Sequence, residues 1–89
     1  GFEALEGNTE GTHNIGIGFR SIEVNTTGSN NIAIGSYALD DNTTASYNTA
    51  VGYAAMAANT TGTANVAVGG LALDACTTGA GSSVEQHNW

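Results

Sequence analysis

Asn48-Thr49-Ala50-Val51-Gly52-Tyr53-Ala54-Ala55-Met56-Ala57-Ala58-Asn59-Thr60-Thr61-Gly62 is the stretch from which the rest of the chain can be read. Its first five residues recur every 17 residues as Asn14-Ile-Gly-Ile-Gly18, Asn31-Ile-Ala-Ile-Gly35 and Asn65-Val-Ala-Val-Gly69, without an insertion. Other columns keep the same phase: Gly1, Gly18, Gly35, Gly52 and Gly69; Leu5, Ile22, Leu39, Met56 and Leu73; Thr9, Thr26, Thr43, Thr60 and Thr77. Asn8, Asn25, Asn42 and Asn59 form another, completed by Cys76, and Gly11, Gly28, Gly62 and Gly79 recur around the exception Ala45. Columns held in register along the whole chain mark a repeat architecture, not a low-complexity tract.

Seventeen residues are too few for the two helices and two turns of a helical repeat. Within each unit Asn-Ile-Ala-Ile-Gly alternates as a strand does, with Ile32 and Ile34 on one face and Ala33 on the other. Tyr37-Ala38-Leu39 is expected to add a second short extended piece, and Asn42-Thr43-Thr44 with the next small residue a turn. Ala54 to Ala58 has helix propensity, but Ser21-Ile22-Glu23-Val24 fills equivalent positions without it, and the repeat overrules.

The expected fold class is therefore all-β, a parallel β-roll or solenoid of 17-residue coils stacked about 4.8 Å apart. Five coils occupy residues 1–81. The motif stops at Ser82-Ser83-Val84-Glu85-Gln86, so residues 82–89 are read as a cap, neck or tail. The core columns expected along the strands are Ile15, Ile17, Ile32, Ile34, Val51, Val66 and Val68. Leu5, Ile22, Leu39, Met56 and Leu73 make a second core column, while Gly16, Ala33, Ala50 and Ala67 permit close approach on the opposite face. The turn columns are Asn25, Asn42 and Asn59 with Gly28, Gly62 and Gly79. One coil offers about three sizeable apolar side chains, so neighbours must share a core. Side-by-side association of the aligned Ile/Val faces around a symmetry axis is expected to supply what one stack lacks.

Composition narrows the function. Ala, Gly, Thr and Asn supply 49 of 89 residues, proline is absent, and one basic residue, Arg20, faces eight acidic ones for a net charge of -7. A single fixed positive charge cannot neutralise phosphates, which argues against a nucleic-acid partner. No apolar run reaches the length of a membrane helix, so no membrane insertion is expected in this segment. Cys76 alone excludes an intrachain disulfide and is read as an inert thiol. The chain opens on Gly1, as a processed chain or a fragment would.

No catalytic, cofactor or metal site is expected, and the chain is not read as an enzyme. His13 and His87 stand 74 residues apart, and Gly16-Ile-Gly18-Phe-Arg-Ser21 breaks the dinucleotide-binding pattern. Glu6, Glu23, Asp40 and Asp74 share one column, with Glu3 and Asp41 beside it, and read as a solvated acidic stripe. Phe2, Phe19 and Tyr53 share a column expected to fill the core or an interface, whereas Tyr37, Tyr47 and Tyr53 are candidates for exposed contacts. Asn30 shares a variable column with His13, Tyr47 and Ala64, so its replacement is expected to be mild.

The Asn-x-Ala-[Ile/Val]-Gly core resembles the head repeats of trimeric autotransporter adhesins. The longer unit, carried best by Asn48, Ala50, Val51, Gly52, Tyr53, Ala55, Met56, Asn59, Thr60, Thr61 and Gly62, resembles repeats of phage tail-fibre and related fibre proteins still more. Gly16, Ala45 and Cys76 depart from the pattern, and a 17-residue period is longer than usual for adhesin heads, which favours the fibre group. The resemblance spans residues 1–81 and implies a left-handed roll, three chains packed into a homotrimeric rod, and further axial fibre segments. It implies a structural segment of a viral tail fibre or a cell-surface fibre that supports attachment to a host-surface glycan or protein receptor. A bacterial trimeric adhesin head is the alternative.

Two further patterns stand beside this reading. Asn25-Thr-Thr27, Asn42-Thr-Thr44 and Asn59-Thr-Thr61 are formal N-glycosylation sequons, which in a eukaryotic secreted protein would put sugars along one edge. Threonine ladders also resemble the faces of ice-binding solenoids, although these lie next to Asn and Gly in a turn and not on a flat Thr-x-Thr strand.

Overall fold

The computed structural model describes residues 3–73 and the backbone of Ser83–Glu85. Five strands, β1 (Ile15–Ile17), β2 (Ile32–Ile34), β3 (Thr49–Val51), β4 (Val66–Val68) and β5 (Ser83–Glu85), form one sheet in the order β1-β2-β3-β4-β5. All pairs are parallel, and each joins residues 17 apart: Ile15 lies against Ile32, Ile32 against Thr49, Thr49 against Val66, and Val66 against Ser83. The chain is all-β and stacks 17-residue coils as a β-solenoid does, with no helix among the described residues. β5 lies beyond residue 81, in the stretch 82–89 set apart above. Strand register continues there although the Asn-x-Ala-x-Gly motif does not, because pairing needs only main-chain groups in phase.

The expected second extended piece is absent. Tyr37-Ala38-Leu39 instead lies in consecutive turns, in which the Ala38, Asp40 and Asn42 N–H groups donate to the carbonyls of Gly35, Tyr37 and Leu39 at 3.1–3.2 Å. The first two turns place Tyr37 (φ 63°) and Leu39 (φ 53°) in the left-handed region that such turns require of their third residue. The same holds for Arg20 and Ile22, and for Ala54 and Met56, whose positive φ also removes Ala54–Ala58 from any helix. A left-handed residue with a Cβ costs roughly 1–2 kcal/mol. Stacking offsets this: the N–H groups of Leu5, Ile22, Leu39 and Met56 donate to the carbonyls of Ser21, Ala38, Ala55 and Ala72 in the next coil at 2.8–3.1 Å.

A third left-handed position precedes each of β1 to β4, at His13, Asn30, Tyr47 and Ala64, with φ between 56° and 65°. These side chains are exposed, so the column is free in size but constrained in backbone. Asn is the residue best suited to this geometry. Replacing Asn30 is therefore not uniformly mild: Asn30→Val is expected to destabilise by about 1 kcal/mol, and Ala64→Asn to stabilise by a similar amount. Thermal unfolding of the two variants checks this. Shifts of equal sign would contradict it.

Candidate functional site

Strand alternation sends one set of side chains inward and the other outward, and the structure sorts them opposite to expectation. Ala33, Ala50 and Ala67 are fully buried and face the interior, where they meet the Ile22, Leu39 and Met56 column. Ile15, Ile17, Ile34, Val66 and Val68 point outward, Ile17 being 55% and Ile34 37% exposed; Ile32 and Val51 are half-buried. The physical reason is the width of the coil. Even at Gly16, an added Cβ would stand 3.0 Å from Ile22 Cγ2 and 3.2 Å from Leu5 Cγ, so a row of isoleucines on that wall has no room. The core is thus a wall of Gly and Ala against a wall of Ile, Leu and Met. Ile22, Leu39 and Met56 are fully buried, and Leu5 and Leu73 pack against them partly covered.

The result is an outward apolar ladder carried by a parallel sheet. Beside it, Phe19 meets Tyr37 edge-to-face with centroids 5.6 Å apart, and Tyr37 meets Tyr53 at 6.0 Å. Phe19 and Tyr53 were expected as core or interface; within this chain both are exposed, because the left-handed turn after Gly18 and Gly52 carries them outside. Tyr47 is also exposed, and Phe2 lies outside the described residues. Among the described residues no cavity opens and no helix is long and apolar enough to cross a membrane.

The acidic stripe gathers around Arg20. The Arg20 guanidinium lies 5.4 Å from the Tyr37 ring centroid and donates to Glu23 Oε1 from both Nε (2.8 Å) and Nη2 (2.7 Å). Glu3 and Asp40 oxygens stand 3.8 and 4.0 Å from Arg20 Nε. Glu3, Glu6 and Glu23 bring carboxylate oxygens within 4.8 Å of one another, but this set is exposed to half-buried and already holds its own guanidinium. Loss of solvation, then the like charges of Glu23 and Glu6, push the Glu3 carboxyl up against the opposing pull of Arg20. Asp40 is raised for the same leading reason, with Asp41 and Glu23 adding to it.

These directions fix a pH dependence. A carboxyl whose value is raised on folding binds its proton more tightly in the folded state. Its contribution to stability therefore grows as pH falls from the raised value to the ordinary carboxylate range, and is lost as pH rises. As pH falls from neutral into the ordinary carboxylate range, the thermal midpoint of the parent is expected to rise relative to that of the double variant Glu3→Gln/Asp40→Asn. A parent midpoint that falls relative to the variant's on acidification would contradict the assignment.

Two asparagine spines run along the stack, one through the column read as turns (Asn25, Asn42 and Asn59) and one through the residue that opens each strand motif (Asn14, Asn31, Asn48 and Asn65). Asn25, Asn42 and Asn59 are fully buried. Each donates from Nδ2 to the side-chain oxygen one coil earlier (Asn25 to Asn8 at 2.7 Å, Asn42 to Asn25 at 2.9 Å, Asn59 to Asn42 at 3.0 Å). The same nitrogens donate to the carbonyls of Gly28, Ala45 and Gly62, closing the turns. In the second spine, backbone N–H groups of Asn31, Asn48 and Asn65 donate to Oδ1 of Asn14, Asn31 and Asn48 at 3.0 Å. A side-chain amide carries both donor and acceptor, so identical residues can link head to tail without limit. That two asparagine columns recur every 17 residues was the available signal.

Among the described residues, Asn59 Oδ1 is buried without a hydrogen-bond partner. The next position in its column is Cys76, which lacks an amide; Cys76, Asp74, Gly79 and His87 lie outside the described residues. Gly28 and Gly62 sit buried in the turns, and His13 is exposed. The threonine hydroxyls of Thr9 and Thr26 donate along the stack to the carbonyls of Thr26 and Thr43 at 3.3 and 3.2 Å, so they do not form a free array facing water. No protein-family model, curated protein or solved structure matches this chain.

Proposed function

We propose that the chain is a structural segment of a trimeric surface fibre, in the manner of a viral tail fibre, that supports attachment to a host or other surface. The observation that carries the reading is the outward Ile/Val ladder. Parallel sheets are stable when both faces are covered, and here the inner face is covered by the coil while the outer face is not. In the proposed assembly three left-handed rolls bring these ladders together at a threefold axis, with the aromatic row of Phe19, Tyr37 and Tyr53 at its margin. The role is mechanical. Stacked coils of fixed rise give a stiff rod, threefold symmetry presents a receptor-binding element in several copies, and the acidic stripe keeps neighbouring rods apart.

Light scattering of the purified chain is expected to give about three times 8.9 kDa. Ile34→Asp is expected to abolish that association, because the charge would be buried against the partner ladders. The same change leaves the interior of the coil untouched, since Ile34 points outward, so the variant should remain β-structured as a smaller species. A stable parent monomer would overturn the trimer, and an Ile34→Asp trimer would overturn this face as its interface.

A further inference from the structure

The three sequons acquire a different meaning once the asparagine spine is seen. N-linked transfer joins Nδ2 to the anomeric carbon of a lipid-diphosphate-linked oligosaccharide. It breaks the bond from that carbon to the diphosphate oxygen, releasing the lipid diphosphate and one Nδ2 proton. In Asn25, Asn42 and Asn59 this nitrogen is fully buried and already makes two hydrogen bonds, to the preceding asparagine and to its own turn carbonyl, at 2.7–3.1 Å. A sugar on Nδ2 would remove a donor from the spine and occupy the space of the adjacent coil. Thr27, Thr44 and Thr61, which complete the sequons, are exposed, so the hydroxyls are not what the fold hides.

We infer that Asn25, Asn42 and Asn59 are sugar acceptors only in the unfolded chain, and that a sugar on any of them prevents stacking of the coil that carries it. Folding and N-glycosylation are then mutually exclusive, and the chain reaches its native state only where no such transfer operates. This inference stands on the spine alone and is independent of the trimer.

The test is translation of the full chain, behind a cleavable secretion signal, into microsomes that contain or lack the lipid-linked sugar donor. With donor, the product is expected to gain up to three sugar chains by intact mass, and the glycosylated fraction to be digested by a broad-specificity protease. Without donor, the same chain is expected to resist that protease. Thr27→Ala/Thr44→Ala/Thr61→Ala, which abolishes all three sequons and keeps the asparagines, is expected to behave identically in both. A glycosylated fraction as resistant as the sugar-free one would overturn the inference, as would a nascent chain that accepts no sugar. A sugar-free parent chain that is equally sensitive would also overturn it, since the sugar would then not be what prevents folding.

Discussion

Gly35→Ala is expected to unfold the stack at temperatures where the parent remains folded. Gly35 has φ of +127°, a backbone region that side chains rarely enter, and its N–H donates to Ile17 O at 2.7 Å. A Cβ there would lie 2.6 Å from Gly52 O and 2.7 Å from Gly52 C. These are backbone atoms of the next coil, so no side-chain rotation relieves the overlap. Gly52 stands in the same relation to Gly69, and Gly18 to Gly35, so a shift made in one coil is passed to its neighbours. Strain of roughly 1–3 kcal/mol from the backbone and a comparable amount from the overlap would consume most of the stability of a domain this small. Circular dichroism followed through a thermal ramp reads the effect, and a midpoint near that of the parent would show that the glycine column is not held as described.

Asn42→Leu is expected to have the second largest effect, although it adds an apolar residue to a buried position. The substitution removes three hydrogen bonds: from Asn42 Nδ2 to Asn25 Oδ1, from Asn42 Nδ2 to Ala45 O, and from Asn59 Nδ2 to Asn42 Oδ1. Asn25 Oδ1 would be left buried without a donor. A stranded buried polar group costs about 1–3 kcal/mol, so the total should reach roughly 3 kcal/mol. Asn8→Leu provides the comparison. Asn8 is only half-buried; its replacement also removes three hydrogen bonds, to Gly11 O and from Asn14 Nδ2 and Asn25 Nδ2, but both of those amides keep Gly28 O as acceptor and no buried acceptor is stranded. Denaturant titration should therefore rank Asn42→Leu well below Asn8→Leu in stability, whereas equal costs would mean that the spine does not act as a continuous unit.

Much of the architecture was legible in the residues. The recurrence of Asn-x-Ala-x-Gly located β1 to β4, and its constant offset gave their parallel order and register, because identical residues at a fixed spacing can stack only in phase. The inner Ile22, Leu39 and Met56 column was equally visible as a run of large apolar residues that never mixes with polar ones. The turns were harder. Tyr37-Ala38-Leu39 carries no glycine, and nothing in its composition announces two left-handed residues; the hydrogen bonds of the neighbouring coils hold them there. Asn25, Asn42 and Asn59 read as turn residues because asparagine favours turns, which says nothing of burial. Their burial depends on partners 17 residues away on either side.

What the sequence determined by itself is the period, and through it the strand order, the register and the identity of every column. A repeat without insertions leaves no freedom in those quantities. What only the tertiary structure decided is which side of each column faces in. Strict alternation divides Ile32, Ala33 and Ile34 into two sets but is silent about which set is interior, and hydrophobicity alone favours the isoleucines. The narrow coil reverses that preference: its far wall is filled by Ile22, Leu39 and Met56, only small side chains fit opposite them, and the larger ones are turned outward.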